Sequence, residues 1–184
     1  MRTKNFKMTL ALTATAILVF LSHSVFSQTD WLKVGSDPNK YNSAVDSINQ
    51  HDGKNVMTLK SVESRVKGFG ALMQNVKPDQ YLGKRVRMTG YLKAKNIKDW
   101  TGLWFRVDQA GSQQFLSFDN MEDRPVKGTT GWKKYEIVLD VPNQASNIAF
   151  GVLLSKTGQI WVDKINFEVV DNSVSTTGKK IEVK

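Results

Sequence analysis

The chain of 184 residues contains no cysteine. That excludes disulfides, thiol nucleophiles, cysteine-ligated metals and a lipidated cysteine anchor. Histidine is almost as scarce, with only His23 and His51. A zinc site built on paired histidines has no material here. There is no Gly-x-Ser-x-Gly elbow, no Gly-x-Gly-x-x-Gly turn and no phosphate loop, so serine hydrolase and nucleotide-binding chemistries lack their usual footholds. No segment keeps a convincing helical period, and there is no internal repeat. Long apolar runs are missing too, apart from Met8 to Leu21. That run is shorter than the roughly 20 residues a membrane helix needs. Arg2, Lys4 and Lys7 precede it, and Val25 and Ser27 stand where a signal peptidase reads small residues. Residues 1–27 are therefore expected to be a secretory signal peptide cut after Ser27. The product would be secreted or periplasmic, with no membrane span left, and its 157 residues suffice for one core without disulfides.

What is present is positive charge and β-patterning. Lys and Arg number 26 against 17 Asp and Glu. Without the leader's three basic residues the balance is 23 to 17, a net +6, which favours anionic partners at long range. Scattered lysines also make an ordinary soluble surface, and a nucleic-acid partner would conflict with export.

Alternation with period two runs through most of the chain. Strands are expected at Val56–Val62, Gly68–Val76, Lys84–Lys95, Trp100–Asp108, Gln113–Met121, Trp132–Val141, Ile148–Leu154 and Gln159–Val170. Tyr41–Ile48 reads as either a first strand or a short helix. Asp52-Gly53 is a hairpin turn signal. Asn96–Asp99 reads as a turn and Glu122–Gly131 as a loop, while Gln28–Lys40 is a polar lead-in. Asp171–Lys184 is expected to be a polar, mobile tail after a domain of residues 28–170. Short strands with closely spaced turn signals predict an all-β, two-sheet β-sandwich of jelly-roll type.

The segment Trp100–Asp108 focuses the search for function. Thr101, Leu103, Phe105 and Val107 make an apolar face; Trp104, Arg106 and Asp108 lie on the other. An indole beside a cation and a carboxylate suits sugar recognition, where flat rings meet C–H surfaces and polar groups share hydroxyls. Arg85, Arg87 and Tyr91 of the preceding strand and Gln74 of the one before would extend that face. Asp119, Asn120 and Arg124 of the adjoining loop complete the candidate set. The competing account buries Trp104 beneath the 119–131 loop, with arginines pinning that loop, and makes the chain a structural or protein-interaction module. A third alternative is a small glycoside hydrolase using Asp108 and Asp119, which requires the two carboxyls about 5 Å or roughly 6.5–9.5 Å apart. Nearby cations argue against it, because a general acid needs an apolar pocket. Asp163 is the one carboxylate considered for calcium, which takes six or more oxygens; the others are not found. Neither a metal nor a cofactor is expected. Trp132 and Trp161 are assigned to packing at strand ends, and His51 to a surface turn.

Several motifs resemble a known module. They run from Gly68-Phe69-Gly70 and Gly83-Lys84-Arg85-Val86-Arg87 through Gly102-Leu103-Trp104 and Arg106-Val107-Asp108. Phe118-Asp119-Asn120-Met121 with Arg124-Pro125, Gly128-Thr129-Thr130 with Trp132, Phe150-Gly151, and Gly158, Trp161 and Asp163 complete them. Over Trp31–Val170 the chain is similar to galactose-binding-like jelly rolls of the carbohydrate-binding type. Similar segments accompany C-terminal-processing-type serine peptidases, erythromycin-esterase-like proteins and some bacterial transcriptional regulators. The resemblance implies an accessory, non-catalytic module, here expected to be exported alone, whose partner is a carbohydrate or other polar ligand, anionic or neutral, or another protein. The module's aspartate after Asp163 is Lys164 here, which counts against a metal.

Overall fold

A residue pattern that alternates on every segment can bury its apolar half only by facing two sheets together. The computed structural model, which describes residues 31–112 and 114–180, does this with ten strands. They are β1 (Leu32–Gly35), β2 (Tyr41–His51), β3 (Lys54–Ser61), β4 (Phe69–Val76), β5 (Lys84–Asp108), β6 (Phe115–Asp119), β7 (Val126–Val141), β8 (Asn147–Ser155), β9 (Gln159–Val170) and β10 (Lys179–Lys180). Single 3-10 turns lie at Pro38–Lys40 and Asp79–Tyr81. The signal peptide expected at residues 1–27 lies outside the described residues.

All pairings are antiparallel, and β5 belongs to both layers. Its first half, to Lys95, lies between β7 and β9 in a layer ordered β7-β5-β9-β3-β2. Its second half, from Thr101, lies between β8 and β6 in a layer ordered β1-β4-β8-β5-β6. Between the layers the first half contributes Val86, Met88 and Leu92, and the second contributes Leu103, Phe105 and Val107, all fully buried. Phe105, Phe150 and Phe167 meet edge to face with centroids 4.9–5.3 Å apart, the arrangement aromatic quadrupoles favour. The fold is thus an all-β, two-sheet sandwich.

Four local expectations change. Asn96–Asp99 is no turn but the corner at which β5 passes from one layer to the other. Asn96 takes a left-handed φ of 55°, which asparagine tolerates better than most residues, and the pairing with β7 slips twice between Ala94 and Thr101. Strands that switch sheets bend in this way. The loop Glu122–Gly131 is shorter than expected, because β7 begins at Val126 and carries Gly128 at φ 68° within it. Tyr41–Ile48 is strand throughout, an edge strand. Lastly, residues 171–178 are tied down rather than free. Thr177 exchanges hydrogen bonds with Val138: its N–H donates to the Val138 carbonyl, and the Val138 N–H donates to its Oγ1. Arg85 donates to the carbonyls of Asn172 and Val174 at 2.8 and 2.7 Å.

Candidate functional site

Because β5 changes layers, the expected site divides. Arg85, Arg87 and Tyr91 lie on the outer face of the first layer. Trp104, Arg106 and Asp108 lie on the outer face of the second, on the opposite side of the sandwich. Gln74 pairs with Phe150 and faces the interior. The ten candidate residues cannot converge on one ligand.

Each group is also engaged locally. Trp104 is only 6% exposed. Its indole N–H is shielded and has no hydrogen-bond partner among the described residues. Met121 packs over Gly102 on the same side, so closely that a Cβ at 102 would stand 2.9 Å from the Met121 Cβ. Arg106 grips Asp108 through two bonds of 2.7 and 3.1 Å, and Asn147 donates to the same carboxylate. Asp119 is buried and accepts from Arg124 at 2.6 and 3.2 Å, from Thr177 and from the Met121 N–H. Asn120 accepts the Glu122 N–H. Arg85 forks onto Asp140, and Arg87 bonds Glu168. Both carboxylates of the hydrolase alternative are therefore held by arginine, in surroundings unlike the apolar pocket of a general acid. Gly151, which in a strand can mark a ligand's approach, marks a neighbouring strand's: a Cβ there would lie 1.8 Å from the Leu72 carbonyl oxygen.

A different set of side chains converges on the first layer's outer face. The β2–β3 hairpin closes through Asp52 and Gly53, both at positive φ (48° and 71°), as two-residue hairpin turns require. It folds over the face and is clamped there. The His51 ring stacks on Trp132 at 4.5 Å and tilts against Tyr91 at 4.7 Å, with Nδ1 2.9 Å from an Asp163 carboxylate oxygen. His51 is thus a packed aromatic spacer rather than a surface turn residue. Asp163 serves this contact, and among the described residues no cluster of three or more His, Cys, Asp or Glu is placed to hold a metal. Asp46 accepts four bonds: from the Ile48 and Asn49 N–H groups, the Asn49 side chain and the Trp161 indole at 2.7 Å. The Asn49 backbone bond above all, then the indole, hold its carboxyl well below the usual carboxylate range.

Beside the hairpin lies a groove of about 520 Å³ whose lining includes Asn49, Lys93, Lys95, Thr130, Gln159 and Trp161. Trp161 is 3% exposed and forms wall rather than platform. Lys93 holds its ammonium 5.1 Å above that ring while donating to Asn49 Oδ1. Thr130 Oγ1 is shielded and has no hydrogen-bond partner in the described chain. The arrangement offers amides and two cations along one side of an indole, which suits a polar ligand of several hydroxyls or acids. The signal for this face was present in the alternation: Tyr91, Lys93 and Lys95 on β5 share a side, as do Gln159 and Trp161 on β9. The hairpin's turn was legible in Asp52-Gly53, but its placement as a wall was not, because that depends on long-range stacking.

No family model matches the chain. It is 45% identical over 148 residues to an uncharacterised HTH-type transcriptional regulator, YbfP, of Bacillus subtilis (strain 168), a match covering 80% of this chain and 50% of that protein. The chain thus spans about half the length of this curated relative. Among solved structures it resembles the CBM22-1 and GH10 modules of Clostridium thermocellum xylanase 10B complexed with xylohexaose. The TM-score is 0.57 at 13% identity, over 80% of this chain and 27% of that one. It also resembles the C-terminal family 22 carbohydrate-binding module of the same enzyme (TM-score 0.57, 12% identity, 84% and 96% covered). A third likeness is to the CBM22-1 xylan-binding domain of Paenibacillus barcinonensis Xyn10C (0.55, 15%, 78% and 88%). At these identities the likeness is one of fold: the chain has the β-sandwich of carbohydrate-binding modules.

Proposed function

We propose that the protein is a secreted, non-catalytic module that binds a carbohydrate in the groove beside Trp161. The observation that carries this is the convergence of Asn49, Gln159, Lys93 and Lys95 on one groove beside Trp161. Asn49 and Gln159 can each both donate and accept. The fold shared with carbohydrate-binding modules supports the same reading. Export rests on the leader-like residues 1–27. A domain that recurs within half of a protein named as a regulator, and here follows such a leader, fits a portable binding role. The Trp104 face takes the structural role: its indole is covered and its ionic groups are paired with one another.

Affinity electrophoresis against a panel of soluble polysaccharides, backed by calorimetry, tests this. At least one glycan should retard the purified protein. Gln159→Ala should weaken that binding by about tenfold, equivalent to roughly 1.4 kcal/mol, in a protein that still melts cooperatively. Trp104→Phe should leave binding intact. A protein that ignores every glycan, or one whose binding is lost with Trp104 and kept without the Gln159 amide, would overturn the assignment.

A further inference from the structure

We propose that the groove beside Trp161 selects acidic glycans, whose sugars carry carboxylate or sulfate groups, over neutral ones. The proposal presupposes that the groove is the glycan site, and extends it by the balance of charge and of hydrogen-bonding groups on this face.

The groove lining holds two cations, Lys93 and Lys95, and no aspartate or glutamate. Lys60, opposite Gln159 across the β3–β9 pairing, and Lys134, opposite Tyr91 across β5–β7, add to them. None of these four lysines has a carboxylate within 4 Å among the described residues, whereas Lys40, Lys156 and Lys164 and all of Arg85, Arg87, Arg106 and Arg124 do. The acids nearest the groove are spent: Asp46 on the hairpin and the Trp161 indole, Asp163 on His51. Neutral sugars present a donor on every hydroxyl, so their sites commonly supply carboxylate acceptors. Ammonium groups only donate, and they match ligands that only accept. Lys93 is already fixed by the indole face and by Asn49, so less ordering is lost when it pairs. Single-stranded nucleic acid would also be drawn to this charge, but it binds chiefly by stacking bases on open aromatic faces. Here His51 covers one face of Trp132, and Lys93 lies over Trp161.

The test titrates the full exported protein with polygalacturonate, the same polymer fully methyl-esterified, neutral β-1,4-xylan, and a 20-nucleotide oligothymidylate. Polygalacturonate should bind at least tenfold more tightly than its ester. That preference should shrink by about tenfold in Lys93→Gln/Lys95→Gln, and also between low and physiological salt, because exposed charges are screened. Lys95→Gln alone, at an exposed position away from the Trp161 ring, should show part of the loss without any change in melting temperature. Lys67→Gln/Lys77→Gln, which removes the same charge elsewhere, should change nothing. Equal affinity for the acid and the ester, or equal loss in the two double variants, overturns the acidic preference while leaving the glycan site standing. Tighter binding to the oligonucleotide than to any glycan also overturns it. No binding to any polysaccharide removes the glycan site itself.

Discussion

Asp46 shows how much one exposed-strand carboxylate can organise. Through two backbone amides, one side-chain amide and one indole it shapes the end of β2 and fastens the hairpin to Trp161. Its folded carboxyl titrates below its ordinary value. An unfolded chain takes up a proton near pH 4 that the folded one refuses. This part of the stability is therefore complete above the ordinary carboxylate range, declines as the pH falls through it, and is gone only below the lowered folded value. The side chain is partly open to water, so its contribution is discounted for solvent screening to about 1–2 kcal/mol. Asp46→Ala should lower the melting temperature at pH 6 and lower it less at pH 3, where part of the contribution has gone. An equal drop at both pH values would show that the ionised form is irrelevant. Wild-type acid sensitivity should shrink rather than vanish in the variant, because hydrogen bonds also hold the Asp99 and Asp171 carboxyls low.

At the scale of elements, Gly151 tests how the second layer is assembled. It sits in β8 between Met73 of β4 and Trp104 of β5. A methyl group there would overlap the Leu72 carbonyl, a backbone atom that no rotamer change can move. Gly151→Ala should therefore cost about 3 kcal/mol, at the upper end for overpacking, read from urea midpoints with an unchanged slope. A cost below about 0.5 kcal/mol, within the range of ordinary surface changes, would mean the strands separate freely. Alternation made most of the strands legible, since β9 has the bounds expected from sequence and Leu103, Phe105 and Val107 face the core as read. It could not show that Asn96 continues a strand instead of ending one. Polar residues mark turns and sheet corners alike, and only the partner strands distinguish the two. That single ambiguity also divided the candidate set: treating Lys84–Lys95 and Trp100–Asp108 as neighbours in one sheet put Arg87 beside Trp104, whereas one strand carries them to opposite faces.

At the scale of the whole molecule, the last question is what closes the sandwich beside β7. Composition marks everything after Val170 as a polar tail, yet residues 171–178 make the contacts of a structural strap. Arg85 is anchored by Asp140 on one side and by two tail carbonyls on the other. Thr177 bonds both Val138 on β7 and the Asp119 carboxylate beneath the 119–126 loop. Asp119 otherwise depends on Arg124 and one backbone amide to compensate a buried charge. Truncation after Val170 should thus remove two bonds at the β7 edge, two from the Arg85 guanidinium to tail carbonyls and one to the Asp119 carboxylate, a loss of about 3–6 kcal/mol at net values of roughly 1 kcal/mol each. The groove, on the first layer's outer face and walled by the β2–β3 hairpin, shares none of these contacts. Chemical denaturation should show the lower stability, while calorimetry on the truncated protein, below its melting temperature, should return the full-length affinity for whichever glycan binds. A truncated protein as stable as the parent would make the tail a loose appendage after all; one that folds but loses the glycan would place the binding site on the β6–β7 side of the sandwich instead.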